Sequence, residues 1–295
     1  MIKNGVYAAG LSVINEDMSL DVSSTISHAE SIIKEGVHGV FFFGSTGQSQ
    51  LIPISEKKDL ISRLSKSKFK NHFYLGTGVN SIKDNLEIIR YSIEFGFNTF
   101  LIMPPAYYKG NTDEGVYNFY SKIIKEVPKM KIILYNFEKL SGYLFNDKIV
   151  RKLVNDFPKQ VIGCKDSSYN LFENLKIAGF SIFPGSETKL LKGLELGCSG
   201  CISAVTNVTH SLARKVFDDH QNQIDQTFNK KLISVRETFD QYNLISGLHS
   251  FMSVNEERYK RLLPPLVALS KKNKEELISK LETLKFNPLK KEVAA

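Results

Sequence analysis

Short apolar runs alternate with amphipathic stretches through the first two thirds of the chain. The runs are YAAGLSVI (7–14), HGVFFFG (38–44), HFYLGTG (72–78), NTFLIMPP (98–105), KIILYNF (131–137), VIGCKD (161–166), FSIFPG (180–185) and GCISAV (200–205). Each is brief, rich in apolar and often β-branched or aromatic residues, and bounded by turn-forming residues, which predicts eight strands. Between them, stretches such as TISHAESIIKEG, SEKKDLISRLSK, DEGVYNFYSKIIKEV, NDKIVRKLVNDF and ETKLLKGLELG predict helices. In SIKDNLEIIRYSIEFG, Ile82, Leu86, Ile89, Ile93 and Phe97 form one strip at helical spacing, with Ser81 available as an N-cap and Gly96 near the end. That strip predicts a face buried in the core.

Strand–helix alternation predicts parallel pairing through right-handed crossovers. Eight such units within roughly 210 residues fit a closed (β/α)8 TIM barrel better than an open doubly wound sheet. No G-x-G-x-x-G follows the first run, so a dinucleotide fold has no direct support. From about residue 210 the pattern is helical only: HSLARKVFDDHQNQ, QTFNKKLISVRETFDQYNLISG and NKEELISKLETLKF. The expected division is a catalytic barrel over 1–220 and a C-terminal helical extension over 221–295 packed on it.

Composition adds exclusions. The 295 residues are 42% hydrophobic and 24% charged, ordinary for a globular enzyme-sized core. The net charge of +8 is spread over pairs such as Lys57-Lys58 and Lys271-Lys272, read as solvated surface. No aromatic-plus-basic motif points to nucleic acid, whereas small carboxylates remain compatible partners. Cys164, Cys198 and Cys201 make no disulfide framework. Cys198-Ser-Gly-Cys201 has C-x-x-C spacing but lies in an apolar run, which favours core cysteines over redox chemistry. No cysteine–histidine cluster supports a metal. No apolar stretch reaches the ~20 residues of a membrane span, and GVYAAGLSVI runs into Asn-Glu-Asp without a cleavage pattern. A cytoplasmic protein without membrane contact is expected.

Barrels gather functional groups where strands end. Here the second run ends in Gly44-Ser45-Thr46-Gly47, the fifth in Tyr135-Asn136, and the sixth in Lys165. An amine at the end of an apolar strand is costly as the ammonium, and the neutral form can attack a ketone to give an imine that acts as an electron sink. Strand alternation that sends Lys165 inward sends Cys164 outward. Two glycines and two hydroxyls in Gly44–Gly47 suit a small carboxylate, although an ordinary strand-to-helix turn reads the same way. Tyr135 is a candidate proton shuttle, or a core tyrosine satisfied by a neighbour.

On GSTGQSQLIPISEK (44–57), MPPAYY (103–108), ILYNF (133–137) with LSG (140–142), and GCKDSS (163–168), the whole chain resembles the dihydrodipicolinate synthase/N-acetylneuraminate lyase family of class I pyruvate-dependent aldolases. The resemblance implies that Lys165 forms the pyruvate Schiff base and that Ser45 and Thr46 hold the pyruvate carboxylate. It implies Tyr135 as proton relay and Tyr108 as a relay tyrosine supplied across a tight dimer, with Ser45 completing the path. Gly185, Glu187, Ile202, Ser203 and Leu140 fall at substrate-pocket positions. A homotetramer built as a dimer of dimers is implied, with no cofactor beyond the covalent imine.

Departures bear on the substrate. Leu140 stands where the lysine-pathway synthase carries a carboxylate-gripping arginine, and leucine can make no such contact. Lys139 is adjacent, with its side chain expected to point elsewhere. Gln48 replaces a common glutamate, Glu138 a proline, and Ala204 stands where a serine would help a sialate-type lyase. The expected activity is reversible cleavage of a 2-keto-3-deoxy sugar acid, or a related 4-hydroxy-2-oxo acid, to pyruvate and an aldehyde. The alternatives are 4-hydroxy-tetrahydrodipicolinate synthase, a sialate-type lyase, and a non-catalytic keto-acid-binding paralogue.

Overall fold

The computed structural model describes residues 2–287; the last eight positions of the extension expected over 221–295 lie outside the described residues. Strands β1 (Gly5–Ala9), β2 (Gly39–Phe42), β3 (Phe73–Gly76), β4 (Thr99–Ile102), β5 (Lys131–Asn136), β6 (Val161–Asp166), β7 (Ser181–Pro184) and β8 (Gly200–Ser203) are the eight expected. They pair in parallel in the order β7-β6-β5-β4-β3-β2-β1-β8. The Ser199 amide, next to β8, donates to the Ile182 carbonyl of β7 at 2.9 Å and draws the sheet's two ends together. The architecture is a (β/α)8 TIM barrel.

Helices α1 (Val22–Lys34), α2 (Ile54–Leu64), α3 (Ile82–Glu94) and α4 (Asp113–Glu126) follow the first four strands. After β5 come a single turn, α5 (Glu138–Ser141), and α6 (Asp147–Asp156); α7 (Leu190–Glu195) and α8 (Thr206–Gln221) follow β7 and β8. Ser81 caps α3 by accepting from the Asp84 amide at 3.0 Å. Leu86, Ile89 and Phe97 of the predicted strip are buried, and Ile82 and Ile93 pack partly buried against the same core. Among the described residues, the β6–β7 connection carries turns in place of a helix.

The first strand is shorter than its apolar run. After Gly10 the chain leaves the sheet because side chains take over its backbone donors: Asn207 Oδ1 accepts from the Leu11 amide and Thr25 Oγ1 from the Val13 amide. Likewise only Gly200–Ser203 of CSGCISAV is strand, so Cys198 lies just before it. All three cysteines are free and buried.

Strand alternation divides the core. Tyr7, Phe41, Leu101, Ile133, Tyr135, Phe183 and Ile202 fill the barrel, while Ala8, Phe42, Phe100, Leu134, Cys164 and Ile182 pack outward beneath the helices. Helices α9 (Asn229–Asp240), α10 (Leu244–Met252) and α11 (Lys271–Thr283) join α8 and the outer side of β1 and β8 in one apolar cluster that includes Val6, Cys201, Val216, Leu232, Phe239, Leu248 and Leu277.

Lys57 corrects the reading of Lys57-Lys58 as solvated charge. It is fully buried, and its Nζ donates to the carbonyls of Thr77 (3.1 Å) and Gly78 (3.0 Å), tying α2 to the chain beyond β3. Burial pulls its pKa down to about 8.

Candidate active site

At the C-terminal ends of the strands a cavity of about 510 Å³ is lined by Ser45, Thr46, Tyr135, Phe137, Lys165, Tyr169, Gly185, Ala204, Arg236 and Asp240, among others. Lys165 is 3% exposed, and no carboxylate among the described residues pairs with it. Register places it beside Tyr135 on β5 and Phe183 on β7. Its Nζ lies 4.3 Å from the centre of the Tyr135 ring. Tyr135 in turn shares a hydrogen bond with Ser45, the two hydroxyls 3.1 Å apart. Amine, phenol and hydroxyl thus share one chamber. Cys164 points the other way, and burial pushes its thiol well above the usual range, which disfavours a thiolate nucleophile.

The Gly44–Gly47 loop turns by a different device from the one its glycines suggest. The left-handed residues are Phe43 (φ 59°) and Gln48 (φ 55°), which flank the segment. Gly47 serves close approach instead, since a Cβ there would meet the Gly10 carbonyl oxygen at 2.9 Å. Gln48 Oε1 accepts from the Leu263 amide at 2.7 Å, so a residue beyond α10 holds the loop. Thr46 is buried and Ser45 half-buried at the chamber wall.

Asp166, next to Lys165, was not singled out from the sequence, yet it organises the chamber. Its carboxylate accepts from the backbone amides of Tyr169 (2.9 Å), Leu171 (2.8 Å) and Phe172 (2.9 Å) and from Asn136 Nδ2 (2.8 Å). These bonds shape the helix-free β6–β7 connection. Burial raises its pKa, and the four donors work against that rise. Asp166→Ala leaves these buried donors without an acceptor and is expected to cost about 3 kcal/mol or more, read as a lowered urea midpoint.

Other expected positions separate. Gly185 lines the chamber and cannot carry a side chain, because a Cβ would fall 2.0 Å from Ser167 Oγ. Ile202 belongs to the barrel interior. Glu187 and Ser203 are fully buried behind the wall, where Ser203 Oγ donates to Glu187 Oε2 at 2.6 Å. Leu140 lines a neighbouring, largely apolar cavity of about 330 Å³ with Leu101, Met103, Ile245 and Leu266. Ser45 and Tyr135 line both cavities and form the partition between them. Glu138 and Lys139 line the Lys165 chamber, whereas the adjacent Leu140 lines the other cavity. The reason is the single turn of α5, whose successive side chains step about 100° apart. Tyr108 is 72% exposed on the β4–α4 loop beside Tyr107 and lies outside the chamber of its own chain.

Arg236 is a second residue the sequence reading missed. It comes from α9, outside the barrel, and is 7% exposed. Nη1 donates to Glu187 Oε2 (3.1 Å) and Ser203 Oγ (3.0 Å), and Nε to both Asp240 oxygens (3.0 Å each). Burial opposes its charge, and Glu187 and Asp240 outweigh that opposition. The signal was present: Leu232, Val235, Arg236 and Phe239 share one buried helical face, and an arginine on an apolar face needs a paired destination.

A family model described as the dihydrodipicolinate synthetase family matches residues 3–284. The chain belongs to that family. As a dihydrodipicolinate synthetase family member it is a pyruvate-dependent carbon–carbon lyase. It is 32% identical over 181 residues to a 4-hydroxy-tetrahydrodipicolinate synthase of Hydrogenobaculum sp., covering 60% of this chain and 61% of that protein. It is 29% identical over 195 residues to a 2-dehydro-3-deoxy-D-gluconate/2-dehydro-3-deoxy-phosphogluconate aldolase of Picrophilus torridus, covering 64% and 71%. The crystal structure of dihydrodipicolinate synthase from Agrobacterium tumefaciens matches with a TM-score of 0.87 at 23% identity, over 96% of this chain and 99% of that one. Among the described residues, no helix is long and apolar enough to cross a membrane.

Proposed function

We propose that this family member cleaves a 2-keto-3-deoxy sugar acid, or a related 4-hydroxy-2-oxo acid, reversibly into pyruvate and an aldehyde through an imine on Lys165. The observation that carries the reading is the buried, carboxylate-free Lys165 amine against the ring of Tyr135, itself hydrogen-bonded to Ser45. In this mechanism the neutral amine attacks the 2-oxo carbon, and loss of water gives the protonated imine. Tyr135 takes the proton of the C4 hydroxyl while handing its own along the hydrogen bond to Ser45, whose hydroxyl passes a proton on to solvent. As this happens the C3–C4 bond breaks, and its electron pair enters the imine to form an enamine. The aldehyde departs, C3 is protonated, and hydrolysis returns Lys165 and releases pyruvate. Ser45 and Thr46 hold the carboxylate, so that the 2-oxo carbon faces the amine. The electron sink is the imine itself.

Leucine at position 140 supports a sugar acid over aspartate semialdehyde, because its side chain offers no partner for a second carboxylate and faces the neighbouring apolar cavity. Two exposed tyrosine rings on one loop, Tyr107 and Tyr108, support a second subunit covering that face, with Tyr108 entering the partner's site. Borohydride reduction in the presence of pyruvate, followed by peptide mass measurement, tests the reading. The expected result is one reduced pyruvyl adduct on the peptide carrying Lys165. An adduct elsewhere, or none, defeats it.

A further inference from the structure

Arg236, Asp240 and Leu244, all contributed by helices outside the barrel, line the Lys165 chamber. One guanidinium there faces two carboxylates. Glu187 behind it is fully buried, and its Oε1 has no hydrogen-bond partner; Asp240 beside it is nearly half-exposed and lines the chamber. At the rim the exposed Glu138 and Lys139 carry opposite charges. The positive charge of Arg236 is therefore already matched before substrate arrives. A phosphate, which accepts hydrogen bonds and carries negative charge, meets Asp240 as a like charge. A hydroxyl donates and accepts, so it can give its proton to Asp240 and take one from Arg236.

We infer that Arg236 and Asp240 select the aldehyde-derived half of the substrate as a neutral, hydroxylated chain and discriminate against a phosphorylated one. The inference rests on the cleavage reading above and narrows its substrate class. The arginine acts as a fork held rigid by Glu187 and Ser203, and the aspartate supplies both the acceptor and the repulsion. Both residues lie on one face of α9, four residues apart. Specificity for the second half of the substrate thus sits on the appended helices, while the pyruvate half is handled by strand ends.

The test compares cleavage of 2-dehydro-3-deoxy-D-gluconate with that of 2-dehydro-3-deoxy-phosphogluconate, and condensation of pyruvate with glyceraldehyde against glyceraldehyde 3-phosphate. The wild type is expected to favour the neutral member of each pair by about tenfold or more in kcat/KM. Asp240→Asn is expected to shrink that preference to about threefold or less. Arg236→Gln raises KM for the neutral substrate about tenfold, while borohydride trapping of pyruvate on Lys165 is unchanged; Arg236→Lys recovers only part of the loss. Because Arg236→Gln leaves the buried Glu187 carboxylate without its cation, the Glu187→Gln/Arg236→Gln double variant, checked by thermal melting, guards against mere unfolding. Equal or faster turnover of the phosphorylated compounds overturns the inference, as does an unchanged ratio in Asp240→Asn or no turnover of either pair. Loss of pyruvate trapping in the wild type is a separate result, which removes the cleavage reading itself.

Discussion

Lys165→Ala is expected to lower kcat on the order of 10⁴-fold or more and to abolish the borohydride adduct. Each tenfold corresponds to about 1.4 kcal/mol of barrier, so the substitution removes at least about 5 kcal/mol, the whole advantage of the covalent electron sink. No neighbouring group can substitute. Cys164 faces away from the chamber with its thiol held protonated, and Lys57 is buried with its Nζ on the carbonyls of Thr77 and Gly78. Stability should move the other way. The lysine is 3% exposed without a carboxylate, so removing it relieves a desolvated amine, and Tm should hold or rise. A variant that keeps its adduct, or loses activity only through unfolding, contradicts this account.

Between pH 7 and pH 5 two fully buried histidines outside the active site should cost the fold about 4 kcal/mol, with a further loss in the same direction from the partly buried His38, whose pKa burial also lowers to about 4. His28 is 2% exposed, with Nε2–H donating to Asn207 Oδ1 and Nδ1 accepting from the Tyr259 hydroxyl, both at 2.9 Å. His249 is fully buried; Nδ1–H donates to the Tyr259 carbonyl at 3.1 Å, and Nε2 has no partner. Protonation would turn His28 Nδ1 against a donor and leave a new N–H on His249 unmatched. Burial accordingly lowers both pKa values from 6.5 to about 4. A lowered folded pKa means that the unfolded chain binds the extra protons. Stability from these groups is complete above pH 6.5, falls as pH drops, and levels off below about 4. Urea titrations at pH 7, 6 and 5 should trace that slope, and His249→Gln should remove about 2 kcal/mol of it. A flat profile across this range contradicts the assignment.

Much of the barrel was legible because parallel strands buried on both faces read as continuous apolar runs, and the covering helices carry a 3.6-residue period. The strip from Ile82 to Phe97 and its Ser81 cap show how local chemistry and packing agreed. Strand ends were less legible where side chains far along the chain, such as Asn207 at Leu11, satisfied the backbone. In the site, Lys165, Tyr135 and Ser45 stand on or just after strands whose register is local, so the sequence brought them to one end of the barrel. Arg236, and the contact that Gln48 makes, escaped for the opposite reason. Their partners, Glu187 with Ser203 and the Leu263 amide, lie far off in the chain, and only the tertiary fold joins them. Lys57 misled because a charged pair reads as solvent-facing unless the carbonyls of Thr77 and Gly78 are known to be waiting.

The Gln48 contact has a consequence for how this enzyme can change. The turn presenting Ser45 and Thr46 is fastened to Leu263, while α9 supplies Arg236. Evolutionary drift in the tail therefore reaches the Ser45–Thr46 turn and the Arg236 wall of the same chamber at once. A lineage that remodels its last helices must do so without letting go of the latch that keeps that turn in place.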